Sequence, residues 1–348
     1  MKLLALLAAS MAFGPAALAA DDAVAKPTSA TFHVRQSTVL SDIPPGTKLV
    51  EWWIAIPGDS RYQDILDFRV VPGPGAWRIV TEPEHGNRFL YVEVADPRTG
   101  SLSATVEFTV RRESTAVEVD PAMAGPITDS HRRIFADELR RDAPHMRVDD
   151  AIQRMADETC GGEDNVATQA RLLLDAVADR VNHYSIDPSV PKCSPGDAEA
   201  CLEQGGGCCT DLHSLFIALA RARGIPARLQ VGYRLREANV GKEVDPGYRC
   251  WAEYFVPAYG WIPTDIVEAD DPDGPGRARW FSGLTERRVW LNQGRGFDLA
   301  GSAATARRVD TMVVGHAEID GEPARVLPDA TGQRPAQITR TVHFTASR

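Results

Sequence analysis

The stretch from residue 205 to residue 265 constrains the fold more than any other part of the chain. Three glycines at residues 205–207 allow a tight turn and lead into Cys209. Apolar residues then recur three and four positions apart, which is typical of one helix face: Leu212, Leu215, Phe216 and Leu219. Gly224 follows the last basic turn and marks a helix stop. The pattern predicts a turn, a helix that begins near Cys209, and a strand over residues 227–233.

The second half of this stretch has the pattern of a β-hairpin. Residues 248–256 form one predicted strand, residues 257–260 the turn and residues 261–265 the returning strand. Period-two alternation predicts two faces for the first strand, with Arg249, Trp251 and Glu253 on one and Cys250, Ala252 and Tyr254 on the other. Asp265, on the returning strand, is expected to lie beside Arg249.

The predicted position of Cys209 has a chemical consequence. Backbone N–H groups at a helix N-terminus have no partner within the helix, and they favour a negative charge there. A thiol in that position has a lowered pKa and is more easily converted to the nucleophilic thiolate. Cys209 is therefore a candidate nucleophile.

Several short motifs in this region resemble those of a known family. They are Cys-Thr-Asp from Cys209, Gly-Ile-Pro-Ala-Arg from Gly224, Cys-Trp-Ala-Glu from Cys250 and Gly-Trp-Ile-Pro-Thr-Asp from Gly260. In this order and at these distances they resemble the core of the transglutaminase-like superfamily, particularly its exported bacterial members. The resemblance covers roughly residues 150–298 and implies a papain-like site of Cys, His and Asp.

The resemblance assigns two of the three site residues and leaves the third in doubt. Cys209 matches the nucleophile and Asp265 the acidic member, but Arg249 stands where the histidine is expected. A neutral imidazole can take and return a proton near pH 7, whereas arginine stays protonated and can do neither. Arg249 could still hold a Cys209 thiolate by charge. His213, four residues after Cys209, is the alternative base, although a packing or hydrogen-bonding role is the simpler interpretation.

These observations lead to two functional hypotheses. The missing histidine favours a catalytically degenerate protein that binds or scaffolds a protein or peptide in the cell envelope. The intact Cys209, Asp265 and surrounding motifs favour a weakened or rewired cysteine acyltransferase or peptidase that acts on an amide. The sequence leaves both open, together with the identity of the partner and the oligomeric state.

The chain as a whole is predicted to be an α+β protein with a papain-like core behind a β-sandwich. Residues 1–19 have the charged start, apolar run and Ala-Leu-Ala end of an export signal. The expected units after it are a β-sandwich-like domain at 28–113, a connection at 114–149, the core at 150–300 and a C-terminal β extension at 301–348. We therefore expect a periplasmic or secreted protein without a stable membrane anchor.

The β-sandwich-like domain is expected to hold six strands, over residues 31–34, 49–56, 68–71, 77–80, 89–94 and 102–110. Further along the chain we expect a short helix over 130–141, a loop over 185–204 and a strand over 280–284.

Composition excludes some partners and leaves the cysteine chemistry open. A net charge of -10 and a pI near 5.3 argue against nucleic-acid binding. No spacing indicates a zinc or cofactor site, and the acidic loop at 268–274 lacks a calcium-loop pattern. Disulfides are expected in an exported chain, with open pairing among Cys160, Cys193, Cys201, Cys208 and Cys250. A Cys208–Cys250 bridge and capture of Cys209 itself are two of the options.

Overall fold

The computed structural model describes most of the chain. The described residues are 28–71, 73, 75–192, 196–270, 276–301, 308–312, 314–324 and 336–347. The expected export signal lies outside them. Among the described residues, no helix combines the length and the apolar character needed to cross a bilayer.

The first part of the chain is entirely β-structure. Its strands are β1 (Ser29–Ser41), β2 (Leu49–Ala55), β3 (Gln63–Val71), β4 (Ala76–Thr81), β5 (Arg88–Ala95), β6 (Ser101–Glu113) and β7 (Thr115–Ala116). The six strands predicted in this region are confirmed. Buried and more exposed residues alternate along β1 and β6, because one face of their sheet packs inward.

The middle of the chain carries the helices and a second set of strands. In order they are α1 (Asp129–Ile134), α2 (Asp150–Cys160), α3 (Val166–Arg180), β8 (Asn182–His183), α4 (Ala198–Gln204), β9 (Gly206–Gly207), α5 (Cys209–Ala222), β10 (Ala227–Arg234), β11 (Glu243–Val244), β12 (Arg249–Val256), β13 (Gly260–Thr264), α6 (Ile266–Ala269), α7 (Arg277–Phe281), β14 (Gly283–Leu284) and β15 (Arg288–Gln293). Short 3-10 turns lie at Pro121–Met123 and Glu237–Asn239.

The end of the chain returns to the N-terminal domain. Its strands are β16 (Phe297–Asp298), β17 (Arg308–Val309), β18 (Gly315–Ile319), β19 (Glu322–Pro323) and β20 (Gln337–Ala346). One five-stranded sheet has the order β11-β20-β1-β6-β3, and another has the order β19-β18-β2-β5-β4. Both sheets contribute buried residues to a single apolar core, which makes them a sandwich. Strands from the tail thus complete both sheets.

The core domain is built on α5. This helix is buried along nearly its whole length and packs on an antiparallel sheet of order β13-β12-β10-β15. The predicted alternation on β12 is confirmed, since Cys250, Ala252 and Tyr254 share the apolar core with α5. Helices α2, α3 and α4 cover the other sides of α5. The mixture of helices with antiparallel sheets is the predicted α+β class.

Three local predictions are wrong. The helix expected over residues 130–141 ends at Ile134, and the loop expected before the cysteine contains α4, which the Asp197 side chain caps. The strand expected over 280–284 starts instead as α7, because short aromatic runs fit either structure. There the Trp280 carbonyl accepts the backbone N–H of Asp265 at 2.9 Å, a tertiary contact that local sequence does not reveal.

Candidate active site

Two glycines place the turn before Cys209 against a neighbouring segment. Gly206 lies at φ +151°, and a Cβ there would be 2.0 Å from the carbonyl oxygen of Asn182. A Cβ on Gly207 would be 2.4 Å from Oδ2 of Asp211. This close approach lets β8 and β9 pair in parallel directly before the helix. Glycine is therefore required at both positions for the chain to reach Cys209 in this geometry.

Cys209 is the first residue of α5, as predicted. The Asp211 carboxylate accepts the backbone N–H of Cys208 at 2.8 Å and so closes the first turn. Cys209 is 5% exposed and lines a cleft. A hydrogen bond from the Cys208 thiol lowers the pKa of Cys209, but the Cys250 thiol and burial act the other way and raise that pKa well above its ordinary value. The structure therefore favours the neutral thiol.

Arg249 and Asp265 lie together in the structure. Nη2 of Arg249 donates to both carboxylate oxygens of Asp265 at 3.2 Å, and Nε donates to Oδ2 at 3.3 Å. Nη2 also donates to Glu268 at 2.8 Å. The returning strand was expected to include Asp265, but it ends at Thr264. Asp265 instead caps α6 and accepts the backbone N–H groups of Val267 and Glu268. The guanidinium of Arg249 is thus engaged by two carboxylates.

A second arginine holds the other side of Asp265. Nη2 of Arg288 lies 2.7 Å from Oδ2 of Asp265, and both side chains are fully buried. Burial raises the pKa of Asp265, but the charges of Arg249 and Arg288 outweigh it and hold that pKa far below its usual range. Conversely, Asp265 and the nearby Cys209 and Glu268 raise the pKa of Arg249 despite its burial. Asp265 and Arg249 are therefore both ionised at neutral pH.

Both ring nitrogens of His213 are hydrogen-bonded to backbone groups. Its Nε2 atom accepts the backbone N–H of Ile266 at 3.1 Å, which leaves the proton on Nδ1. Nδ1 donates to the carbonyl oxygen of Cys209 at 2.6 Å and lies 3.4 Å from the Cys250 sulfur. Burial lowers the pKa of this histidine to about 4. The ring therefore holds the start of α5 against the start of α6, which is the structural role considered above.

His183 lines the same cleft as Cys209. Its Nδ1 atom accepts from the backbone N–H of Ser185 at 3.3 Å and lies 2.7 Å from the Ser185 hydroxyl. Burial and the charge of Arg249 lower the pKa of His183 to about 4. The lone pair of this ring is thus already hydrogen-bonded, and the neutral form persists at physiological pH.

The cleft beside Cys209 has a volume of about 690 Å³, within the range of ligand sites. Its charged lining consists of Arg234, Arg236, Arg249 and Glu268. Glu268 is already bound by Arg234 and Arg249. The side chain of Arg236 is exposed and makes no hydrogen bond or ion pair to a described residue. The cleft therefore carries excess positive charge in a protein of net charge -10.

Five side chains form an ion cluster beside the cleft: Asp265, Arg249, Arg288, Arg234 and Glu268. The sequence analysis did not identify the last three as members of the site. Arg288 begins β15 and Arg234 ends β10, and Glu268 belongs to α6. No motif or spacing distinguishes them from surface charges. The pairing of β10 with β15, which sets Arg234 opposite Arg288, is the tertiary fact that brings them together.

Five cysteines lie within the described residues, and all five are free thiols: Cys160, Cys201, Cys208, Cys209 and Cys250. Cys193 lies outside the described residues. No bridge between Cys208 and Cys250 or capture of Cys209 is present among the described cysteines. The described part of the chain also holds no group of three or more side chains arranged to bind a metal ion.

Comparison with known proteins places this geometry in context. Residues 153–266 match the family model described as the transglutaminase-like superfamily. A curated protein from Haemophilus influenzae, described as uncharacterized, is 26% identical over 325 residues, which cover 84% of this chain and 87% of that protein.

Two solved structures are also similar. A candidate cysteine protease from Cytophaga hutchinsonii aligns with 91% of this chain and 98% of its own, at 18% identity and a TM-score of 0.56, so it shares the fold. The periplasmic domain of TgpA from Pseudomonas aeruginosa aligns with 72% of this chain and 92% of its own, at 18% identity, but its TM-score of 0.32 is too low to compare folds. Residues 153–266, which hold Cys209, Arg249 and Asp265, are thus similar to the core of the transglutaminase-like superfamily.

Proposed function

We propose that this chain is a noncatalytic binding module that holds a carboxylate-bearing peptide segment in the cleft beside Cys209. The observation that carries the proposal is the contact of Arg249 with Asp265 and Glu268. A cation fixed by two carboxylates occupies the place where the resemblance leads us to expect an imidazole. Such a group binds ligands but does not transfer protons.

Acyl transfer by a thiol has two requirements that this site does not meet. A base must remove the thiol proton, and an acid must protonate the leaving amine. His213 has both ring nitrogens in hydrogen bonds, and the lone pair of His183 is bound by Ser185. The raised pKa of Cys209 adds to the barrier. These features support binding without turnover.

The charge of the cleft supports the ligand class. The guanidinium of Arg236 has no partner among the described residues, and the residue lines the cleft with Arg234 and Arg249. Arginine binds carboxylates through two parallel hydrogen bonds, and such charge-assisted bonds are the strong ones. The expected export signal at residues 1–19 locates this ligand, within the proposal, in the periplasm or outside the cell.

One observation favours the alternative of a rewired cysteine enzyme. Cys209 lies at the N-terminus of a 14-residue helix and lines the cleft, and the nearby charge of Arg249 opposes part of the rise in the pKa of its thiol. A substrate that displaced water and carried its own basic group would make a weak acyl transfer chemically feasible. This hypothesis predicts slow turnover that depends on Cys209.

The test compares a fluorescently labelled Glu-Ala-Glu-Ala peptide with its Gln-Ala-Gln-Ala counterpart in anisotropy titrations. We expect saturable binding of the glutamate peptide and at least about tenfold weaker binding of the glutamine peptide. Arg236→Gln should weaken binding by about tenfold. Arg98→Gln, which removes the same charge from an exposed position outside the cleft, should leave it unchanged.

Product analysis of the same mixtures distinguishes the two hypotheses. The proposal predicts no hydrolysed or transamidated peptide after long incubation with the wild-type protein. Turnover that disappears in Cys209→Ala would establish the enzyme instead. Equal affinity for the two peptides, or failure of either to bind, would contradict the binding proposal.

A further inference from the structure

A second cavity lies where the N-terminal sandwich meets the core domain. It has a volume of about 330 Å³, and none of its lining residues lines the Cys209 cleft. Residues 59–62, 85, 86 and 112 contribute from the N-terminal part of the chain, and β10, β12, β13 and β15 contribute from the core sheet. Four aromatic rings line it: Tyr62, Trp251, Trp261 and Trp290.

The unusual member of this cavity is Arg112, near the end of β6. It is 3% exposed, and its Nε atom makes no hydrogen bond. No described residue forms an ion pair with it. Burial lowers the pKa of Arg112 to about 10, and the more distant charge of Glu253 opposes this in part. The Cζ atom of Arg112 lies 6.0 Å from the centroid of the Tyr62 ring. A buried guanidinium without an ion-pair partner costs free energy, which a bound anion would offset.

The nearby acidic groups are already used by other residues. Nε of Arg228 donates to Oε2 of Glu253 at 2.9 Å, and Gln230 donates to the same oxygen at 2.7 Å. Oδ1 of Asp59 accepts the backbone N–H of Ile65 at 2.7 Å. Arg112 is therefore a buried charged group of the lining that lacks a close counterion among the described residues, whereas the exposed Arg61 donates to the carbonyl oxygen of Tyr259.

The aromatic side chains give the cavity flat walls. The guanidinium of Arg228 stacks on Trp261, with Cζ 4.0 Å from the ring centroid. Nε1 of Trp290 donates to the Gln230 side chain at 2.6 Å, which fixes the orientation of this indole. Aromatic faces of this kind accept planar rings and the apolar faces of sugars. The volume lies at the lower end of the range for small-molecule sites.

We propose that this junction cavity binds a single ring that carries a carboxylate group, either an aromatic acid or an acidic sugar. Arg112 binds the carboxylate, and the surrounding tryptophan and tyrosine rings contact the flat face of the ligand. The ligand supplies the counterion that the protein lacks. This site is independent of the proposed function at Cys209, because the two cavities share no residue.

The binding test uses benzoate and glucuronate as the two carboxylate probes, and benzamide and glucose as their neutral counterparts. Tryptophan fluorescence and saturation-transfer NMR would monitor titration of the full chain at millimolar probe concentrations. We expect saturable binding of at least one carboxylate and at least about tenfold weaker binding of its neutral counterpart. The two probes distinguish the aromatic source from the sugar source. Absence of saturable binding by both carboxylates would overturn the proposal.

Arg112→Met separates a binding role from a structural one. Replacing an unpaired buried charge by an apolar side chain should leave the thermal midpoint of the free protein unchanged or higher, and should weaken carboxylate binding by about 10- to 100-fold. Arg111→Met, the exposed neighbour that pairs with Asp64, is the matched control and should not affect binding. Unchanged affinity in Arg112→Met would overturn the proposal.

A second variant keeps the test decisive if Arg112→Met does not fold. Tyr62→Ala alters a half-buried ring of the same cavity and leaves the guanidinium in place. We expect the affinity for the bound carboxylate to fall by about fivefold, through loss of one aromatic contact. Wild-type affinity in this variant would show that the probe binds elsewhere.

Discussion

Nη2 of Arg249 contacts both carboxylate oxygens of Asp265 at 3.2 Å, beside the N-terminal end of the helix that carries Cys209. Arg288 holds the same carboxylate from the other side at 2.7 Å. Asp265 therefore balances two buried guanidinium groups, while it also caps α6. The acidic residue expected to orient an imidazole acts here as the centre of an ion cluster.

This cluster predicts a large effect of Asp265→Asn on stability. Asparagine keeps the size and the helix cap but leaves Arg249 and Arg288 with a single nearby carboxylate, that of Glu268. Breaking a buried ion pair from one side costs about 3–5 kcal/mol. Urea unfolding should show a loss of this size in the free energy of unfolding.

The control for this experiment is an exposed pair of the same residue types. Asp64 pairs with Arg111 at 2.7 Å, and both side chains are about half exposed. Asp64→Asn should cost less than about 1 kcal/mol, since water screens such pairs. Equal losses in the two variants would show that the buried cluster contributes no more than a surface pair.

His213 predicts how stability changes with pH. Its pKa in the folded protein, about 4, lies below the ordinary value of 6.5, so the unfolded chain binds the extra proton. This contribution to stability is fully present above about pH 6.5 and is lost as the pH falls toward about 4. Protonation would also remove the acceptor for the N–H of Ile266. The full loss is about 3 kcal/mol.

The measurement is the free energy of unfolding between these two pH values. His183 has a lowered pKa in the same window and adds to the slope. His213→Gln should make the slope clearly smaller, whereas His33→Gln, at an exposed histidine, should leave it unchanged. An unchanged slope in His213→Gln would mean that this ring is not kept neutral by the fold.

We expect Gly206→Ala to destabilise the protein much more than Gly205→Ala. An added Cβ would lie 2.0 Å from the carbonyl oxygen of Asn182, at a φ of +151°, and should cost at least about 3 kcal/mol in Gly206→Ala. Gly205, at φ +73°, has open space around it, and Gly205→Ala should cost about 1 kcal/mol. Thermal unfolding of the two variants checks this, and equal midpoints would contradict the packing described.

Local sequence predicted the elements whose signals lie within a few residues. The stripe on α5, its start at Cys209 and the alternation on β12 follow from side-chain period alone. The α7 helix and the cap of α6 by Asp265 depend on contacts between distant segments, such as that between Asp265 and the Trp280 carbonyl. Such contacts leave no pattern in a short window, so the strand expected at 280–284 was wrong there.

The candidate site was also predictable only in part, because some of its residues lie in recognisable motifs and others are brought together only by the fold. Motif order led to Cys209, Arg249 and Asp265, and the structure brings Arg249 against Asp265 and into the cleft that Cys209 lines. Arg288 and Arg112 carry no motif and become notable because the fold buries them. Burial of a charge is a property of the folded chain and cannot be seen in composition.

We expect the substitution Arg249→His to increase the reactivity of the Cys209 thiol. An imidazole beside Asp265 would be held by a carboxylate and could accept the proton of Cys209. Each unit by which the pKa of the thiol falls raises the thiolate fraction about tenfold near neutral pH. Alkylation by iodoacetamide, followed by peptide mass spectrometry, should therefore be at least about tenfold faster than in wild type. A rate equal to wild type would show that Arg249 is not what limits the thiol.

The measurement that tests the central claim most directly is the pH dependence of Cys209 alkylation in the native wild-type protein, beside Arg249→Ala. The account predicts negligible labelling near pH 7 in both proteins, because the thiol stays protonated and Arg249 is engaged by Asp265 and Glu268. Rapid labelling well below the free-thiol pKa of about 8.5, abolished in Arg249→Ala, would contradict it and identify a reactive thiolate held by Arg249.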